Sequence, residues 1–185
     1  MRLRSGVVVV RDANEMDAHL LSSWWANGKV MEHAGYPDGI RKDPLELAAE
    51  LRAESALIQP LRRRLMIEFG GVPIGEMNYR IEAKVAEIGV KICDFSYHGM
   101  GIGPQALVVL IEYLFDQRDL EKIVLDTMIE NVRAQHVYEK LGFRKLAVNK
   151  DCWTDQRGRK RTSVDYELSR TAFEAVRRAM RLNEH

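Results

Sequence analysis

His98-Gly99-Met100-Gly101-Ile102-Gly103-Pro104 follows the apolar run Gly89-Val90-Lys91-Ile92-Cys93-Asp94 and opens an apolar stretch of helical period. Glycine tolerates positive φ and lets amides approach a ligand, and a helix N-terminus offers unpaired N–H donors at the positive end of its dipole. A strand, a glycine loop and a helix in that order point to a ligand with a pyrophosphate. The motif alone leaves open a ligand-free glycine turn. Two nucleotide loops are excluded by spacing. A Walker loop needs Gly-Lys-Ser/Thr, whereas Pro104 and Gln105 follow Gly103 here; a G-x-G-x-x-G fingerprint fails because Pro104 stands where its third glycine falls.

The 185 residues suffice for one domain with a real core, residues 1–185, and are too few for two comfortable ones. With 28 basic and 27 acidic side chains, no global field draws the chain to nucleic acid or to an anionic membrane, so specificity has to come from a local site. The two cysteines, Cys93 and Cys152, have neither metal-like nor disulfide-framework spacing and suit a reducing compartment; a cytoplasmic location is expected. The run of valines near the N-terminus is too short for a signal-peptide core or a membrane span and reads as a first strand. His19, His33, His98, His136 and His185 form no zinc-like spacing, and no metal is expected.

Outward from the glycine loop the periodicities alternate. Val7 to Val10 predicts a strand; Asp12-Ala13-Asn14-Glu15 has capping-box spacing before a helix carrying Leu20, Leu21, Trp24 and Trp25. Asn27 to Lys42, with its glycines and Pro37, reads as a long loop. Asp43-Pro44-Leu45-Glu46 starts a second helix with an acidic cap and proline at its first position. Leu65–Phe69, the Gly70-Gly71 turn, Ile74–Ile81 and Val85–Cys93 predict an antiparallel meander. Leu107, Leu110, Ile111 and Leu114 stand at i, i+3, i+4 and i+7 of the helix after the loop. A strand at Ile123–Thr127, a helix at Val132–Leu141 stopped by Gly142, and strands at Phe143–Val148 and Ser163–Leu168 follow. The polar stretch Asp155–Arg161 reads as their hairpin loop, and a basic amphipathic helix begins at Thr171. The class is α/β with a mixed sheet.

These residues resemble the GNAT superfamily of acetyl-CoA-dependent N-acetyltransferases, in the branch that includes ribosomal-protein N-terminal and aminoglycoside acetyltransferases. The family's phosphate loop, Arg or Gln, two residues, Gly, one residue, Gly or Ala, is matched by His98-Gly99-Met100-Gly101-Ile102-Gly103, with His98 departing from the usual first residue. Glu130-Asn131-Val132-Arg133-Ala134 through Tyr138-Glu139-Lys140-Leu141-Gly142-Phe143 resembles its Asn-x-x-Ala...Tyr-x-x-x-Gly-Phe segment. The clear match runs over residues 86–143. The resemblance implies a GNAT fold: a mostly antiparallel sheet of about seven strands, helices on both faces, and two strands splayed at the cofactor cleft.

It also implies acetyl-CoA as co-substrate. The end of the strand at Ile92, Cys93 and Asp94 would pair with pantetheine amides as a surrogate strand, and His98, Gly99, Met100, Gly101, Ile102 and Gly103 would hold the pyrophosphate. Asn131 would hold the cofactor, or be only a helix cap. Tyr138 would protonate the departing sulfur; periodicity alone reads it as a core aromatic. Acetyl transfer to an amine of pKa about 10.4 needs a neutral nitrogen, at a cost of about 4.6 kcal/mol at pH 7. Glu87 stands where several family members carry a general base, on a strand face with Gly89 and Lys91, and is equally read as a solvent-facing carboxylate; Glu76, one strand earlier, is the reserve. Cys93 reads as a packed thiol, so direct transfer is expected.

The acceptor wall is expected from Trp24, Glu32, His33 and Tyr36, with Trp24 and Trp25 alternatively core residues. The expected function is transfer of acetyl to a primary amine in a ternary complex. The amine is a protein N-terminus, a lysine or a small molecule, an aminoglycoside-type antibiotic being one alternative. A non-catalytic acyl-CoA-binding sensor is the rival from another class. A homodimer through the tail helix is an open expectation.

Overall fold

The N-terminal residues supply two strands where the sequence predicted one. In the computed structural model, which describes residues 1–182, β1 (Arg2–Ser5) turns back at Gly6, φ +57°, into β2 (Val8–Asp12). His185 lies outside the described residues. β1 is half-exposed and polar, which hid it; β2, with Val8, Val9 and Val10 buried, carried the legible pattern. The sheet therefore has eight strands rather than about seven.

The capping box sits two residues beyond the expected one. Asn14 accepts from the Met16 amide, and the Asp17 carboxylate accepts from the Asn14 amide, while Asp12 ends β2 and pairs with Arg63 at 3.0 Å. A 3-10 turn at Glu15–Asp17 leads into α1 (Ala18–Ala26). The expected loop after it contains a short helix, α2 (Gly28–Met31), capped by Asn27, and a 3-10 turn at Glu32–Ala34. α3 (Pro44–Ser55) begins as predicted, with Asp43 accepting from the Leu45 amide and Pro44 at the first helical position.

β3 (Arg62–Phe69), β4 (Val72–Glu82) and β5 (Val85–Ile92) form the antiparallel meander. α4 (Ile102–Arg118) follows the glycine loop, then β6 (Lys122–Met128), α5 (Val132–Lys140), β7 (Arg144–Thr154), β8 (Lys160–Ser169) and α6 (Arg170–Leu182). β7 and β8 are longer than predicted. Asp155, accepting from the Arg157 and Arg159 amides, closes a tight turn in place of the loop. The spatial order is β1-β2-β3-β4-β5-β6-β8-β7, antiparallel except at β5 against β6.

Helices cover both faces. α4 buries Leu107, Leu110, Ile111, Leu114 and Phe115 against Val8, Val10, Leu65 and Ile67; each such side chain contributes about 1.5–3 kcal/mol on leaving water. α6 joins this side through Phe173, 5.9 Å from Phe115 ring to ring. On the other face Leu21 of α1 and Leu47 and Leu51 of α3 pack on Ala13 and Met66. The single parallel pairing is short: Val85↔Lys122, Ala86↔Ile123 and Glu87↔Val124. Beyond Glu87 the two strands part, leaving the β6-facing edge of Ile88–Ile92 without a β6 partner.

Candidate active site

The parting of β5 and β6 opens a cleft of about 1080 Å³ that runs through the sheet from the glycine loop and α5 on one face to β4 and α2 on the other. At its first end α4 starts without a side-chain cap: Gly101 takes its N-cap position at φ +75°. Gly99 is at φ +85°, and a Cβ on either glycine would meet no atom within 4 Å, so conformation rather than crowding calls for glycine. Among the described residues, the amides of Gly99, Met100, Gly101, Ile102 and Gly103 have no acceptor. Five donors at the positive end of a 17-residue helix fit a pyrophosphate.

The strand end next to this loop is more occupied than expected. The Cys93 and Asp94 amides both donate to the Ile74 carbonyl, at 2.9 and 3.0 Å, which removes them as pantetheine donors. Asp94 instead caps the 3-10 turn Phe95–Tyr97, its carboxylate held below the usual range by the Ser96 hydroxyl and amide. His98 turns back from the loop, placing Nε2 2.9 Å from the Ile92 carbonyl oxygen and its ring against Phe95. Burial pushes the Cys93 thiol up to about 12, the state of a packed sulfhydryl rather than of a nucleophile. Ile92, His98, Gly99, Gly101, Ile102 and Gly103 line the cleft; Cys93, Asp94 and Met100 do not.

α5 forms the wall across the gap. Asn131 is its N-cap, Oδ1 accepting from the Ala134 amide at 3.2 Å, and it lines the cleft as well, so the two readings of this residue coexist. Tyr138 is 6 % exposed and lines the cleft, with its ring packed on Phe143 and Tyr166. Burial first, then the charges of Asp126 and the neighbouring Tyr166, push its phenol up to about 12. It is both the core aromatic that periodicity suggests and a protonated group facing the cleft.

On the opposite face the structure separates the two expected carboxylates. Glu87 lies outside the cleft, in a small depression with Glu82 and Val124, and pairs loosely with Arg80 at 3.8 Å. Glu76 is inside and nine-tenths buried. Trp25 Nε1 donates to its two oxygens at 3.0 and 3.1 Å, and Lys91 Nζ forms an ion pair with Oε1 at 2.9 Å. Asn78 and Gly89 stand opposite each other beside this pair, and a side chain at Gly89 would strike the Asn78 amide.

The acceptor wall also differs from expectation. Trp24 packs with Val30, Met31 and Cys93, while its neighbour Trp25 reaches the carboxylate. His33 lines the cleft mouth; Glu32 and Tyr36 are exposed outside it, Glu32 within 3.7 Å of His33. The segment is tied to the β7–β8 hairpin. Gln156 accepts from the Asp38 amide and donates to the Gly39 carbonyl, its own amide donates to the Gly35 carbonyl, and Arg157 pairs with Asp38. Trp153 of β7 lies against Gly35 and lines the cleft.

Sequence reasoning missed Lys91, Asp126, Trp153 and the role of Trp25. Lys91 and Asp126 obey strand alternation, which puts them on the face of Glu76 and Glu87. What no pattern supplied was the point at which β5 and β6 separate, and that point decides which part of the face the cleft reaches.

Residues 8–144 match the family model described as "Acetyltransferase (GNAT) domain". A spermidine N-acetyltransferase from Vibrio cholerae, solved with CoA and spermine, superimposes with a TM-score of 0.80 at 19 % identity, over 91 % of this chain and 99 % of that one. A ribosomal L7/L12 alpha-N-protein acetyltransferase in complex with coenzyme A gives 0.80 at 20 % identity, over 93 % and 99 %. A GNAT-family acetyltransferase from Bacillus anthracis gives 0.73 at 16 %, over 91 % and 98 %. At such identities the likeness is one of fold.

Proposed function

Since the chain belongs to the GNAT acetyltransferase family and is an acetyl-CoA-dependent acyltransferase, we propose that it moves the acetyl group to a primary amine by direct attack in a ternary complex. The observation that carries this reading is the through-sheet cleft between β5 and β6, with five free amides at one end and the protonated phenol of Tyr138 on its wall. The pyrophosphate would rest on the amides of Gly99 to Gly103. The unpaired edge of Ile88–Ile92 supplies backbone groups for the pantetheine amides, and Asn131 stands beside it.

The amine reaches the thioester from the β4 side of the sheet, and Tyr138 meets the sulfur from the α5 side. Burial keeps the Tyr138 phenol protonated at neutral pH, so a proton is in place for the developing thiolate in the collapse of the tetrahedral adduct. Cys93 takes no part as an acyl carrier, because burial keeps it protonated. Two fold neighbours are named for spermidine and for a ribosomal protein, and both acceptor classes are primary amines.

The test is release of CoA thiol from acetyl-CoA with four acceptors: a peptide N-terminus, a lysine peptide, spermidine and an aminoglycoside. Calorimetric acetyl-CoA binding is measured in parallel. Saturable turnover with at least one amine is the expected result. Tight binding of acetyl-CoA with no transfer to any of the four would favour the sensor reading instead.

A further inference from the structure

Among the described residues three carboxylates line the cleft: Glu76, Asp126 and Glu130. Glu76 has both oxygens engaged by Lys91 and Trp25, so a substrate proton reaches it only after an internal donor leaves. Glu130, exposed at the surface like Asp126, lies 4.0 Å from the Arg161 guanidinium. Among the described residues Asp126 has no ion pair and no hydrogen bond from another residue to its side chain, only the contact of its own backbone amide. It stands on β6 two residues past Val124, the last residue paired to β5, and so at the margin of the gap. Alternation from the Glu87↔Val124 pair puts its side chain on the face of Glu76 and Glu87, opposite the helix face on which Tyr138 packs.

We propose that Asp126 is the catalytic base that takes the proton of the acceptor ammonium. The assignment rests on the acetyltransferase reading above and deepens it. One proton passes from the ammonium to the Asp126 carboxylate, and the freed nitrogen pair forms the C–N bond to the acetyl carbonyl carbon. The C–S bond then breaks with its electron pair on sulfur, which takes the Tyr138 proton. The second nitrogen proton restores the phenol, and the proton on Asp126 leaves to solvent, so one proton is released per turnover. The base for the first proton and the acid for the sulfur thus work from opposite faces of the sheet.

The surroundings of Asp126 suit this work. Asp165 of β8 is directly opposite it in the ladder, an arrangement of like charges that costs stability. Asn149 of β7 donates to Asp165 at 2.7 Å and keeps that carboxylate in place. The cleft walls, then Asp165, then Glu87 of β5, hold the Asp126 carboxyl above the ordinary range. From α5 the uncharged phenol of Tyr138 faces the same gap, and the charge of Asp126 in turn raises it. A carboxylate moved toward neutrality is a better match for a protonated amine than an ordinary one.

Two measurements test the assignment. The first is kcat/KM against pH for an amine the wild type acetylates. Asp126→Asn is expected to lose about 10²–10⁴-fold near pH 7, with acetyl-CoA affinity intact and the deficit narrowing as pH approaches the amine's own pKa. Asp165→Asn is expected to move the acidic limb to lower pH. An Asp126→Asn enzyme within about threefold of wild type at neutral pH overturns the proposal, as does loss of the limb in Glu76→Gln instead. The second is NMR titration of the Asp126 carboxyl in the folded wild type, which needs neither an acceptor nor a variant of the base. Titration above the ordinary Asp range, falling in Asp165→Asn, is expected; titration at or below that range overturns the assignment even if every acceptor in the panel fails, an outcome that would sink the acetyltransfer reading separately.

Discussion

Lys91 Nζ lies 2.9 Å from Glu76 Oε1, and the two residues stand directly opposite each other on β5 and β4. The ammonium is 28 % exposed and the carboxylate 10 %, so the pair is neither a free surface bridge nor fully sealed. Breaking one partner of a buried pair strands the other charge, whereas removing both does not. Glu76→Gln is therefore expected to lower stability by about 1–3 kcal/mol, and Glu76→Gln with Lys91→Met by clearly less than the two single changes together. Urea unfolding of the three variants measures the coupling. Additive losses would mean that the contact contributes nothing. In the pH profile Glu76→Gln should keep its acidic limb, which separates a positioning role for this carboxylate from proton transfer.

Tyr138→Phe separates chemistry from packing cleanly. The ring contacts with Phe143 and Tyr166 survive the change, and among the described residues no protein hydrogen bond to the hydroxyl is lost, so the midpoint of thermal unfolding should stay within about 2 °C. Turnover should fall about 10²-fold with KM for acetyl-CoA nearly constant, because the proton is needed only as sulfur departs. The phenol is pushed up to about 12, chiefly by burial. It stays protonated as pH rises toward about 10, so the deficit of the variant should be flat over that range and the wild type should show no basic limb from Tyr138. A basic limb that vanishes in Tyr138→Phe would contradict this account.

The glycine loop predicts two kinds of failure. Gly99 and Gly101 hold positive φ in open space, so alanine there strains the backbone by about 1–2 kcal/mol and disturbs the free amides together. Gly103 has ordinary φ, and its Cβ would only touch Ile92 at 3.9 Å. Gly101→Ala should thus lose both thermal stability and acetyl-CoA affinity. Gly103→Ala should keep its stability while a methyl group enters the face where the pyrophosphate rests, weakening binding about tenfold, or about 1.4 kcal/mol. Equal affinities for Gly103→Ala and wild type, read by calorimetry, would place the diphosphate elsewhere.

Local patterns carried much of this molecule. Val132–Leu141, Pro44–Leu51 and the Gly70-Gly71 hairpin fold as their period, cap and turn chemistry dictate, because each is decided by neighbours in sequence. β1 escaped notice because Arg2 and Arg4 alternate with half-buried residues at a sheet edge and never form an apolar signal. The site was legible only in part for a related reason. Alternation put Glu87, Gly89 and Lys91 on one face, but whether that face meets a cleft is fixed by the separation of β5 from β6 after Val124, a contact between segments 37 residues apart. Likewise both tryptophans belong to the apolar stripe of α1, and only the approach of β4 selects Trp25 as the donor to Glu76.

The wall formed by Gly35 and Trp153 should control the acceptor and leave the cofactor alone. Gly35 is at φ +91°, and a Cβ there would come within 2.4 Å of the Trp153 ring. Alanine must push the indole into the cleft or lift the segment away from β7, at a cost beyond the backbone strain itself. Gln156→Ala acts without that clash: it frees the Asp38 amide and the Gly39 carbonyl, two bonds worth about 0.5–1.5 kcal/mol each, and leaves Arg157 on Asp38 to hold the hairpin. Because these contacts lie on the amine side of the sheet and the phosphate loop on the other, both variants should raise KM for the acceptor several-fold while KM for acetyl-CoA stays within about twofold. A matched rise in the two constants would mean that the wall props the whole cleft, and the division of the site into an acceptor face and a cofactor face would have to be abandoned.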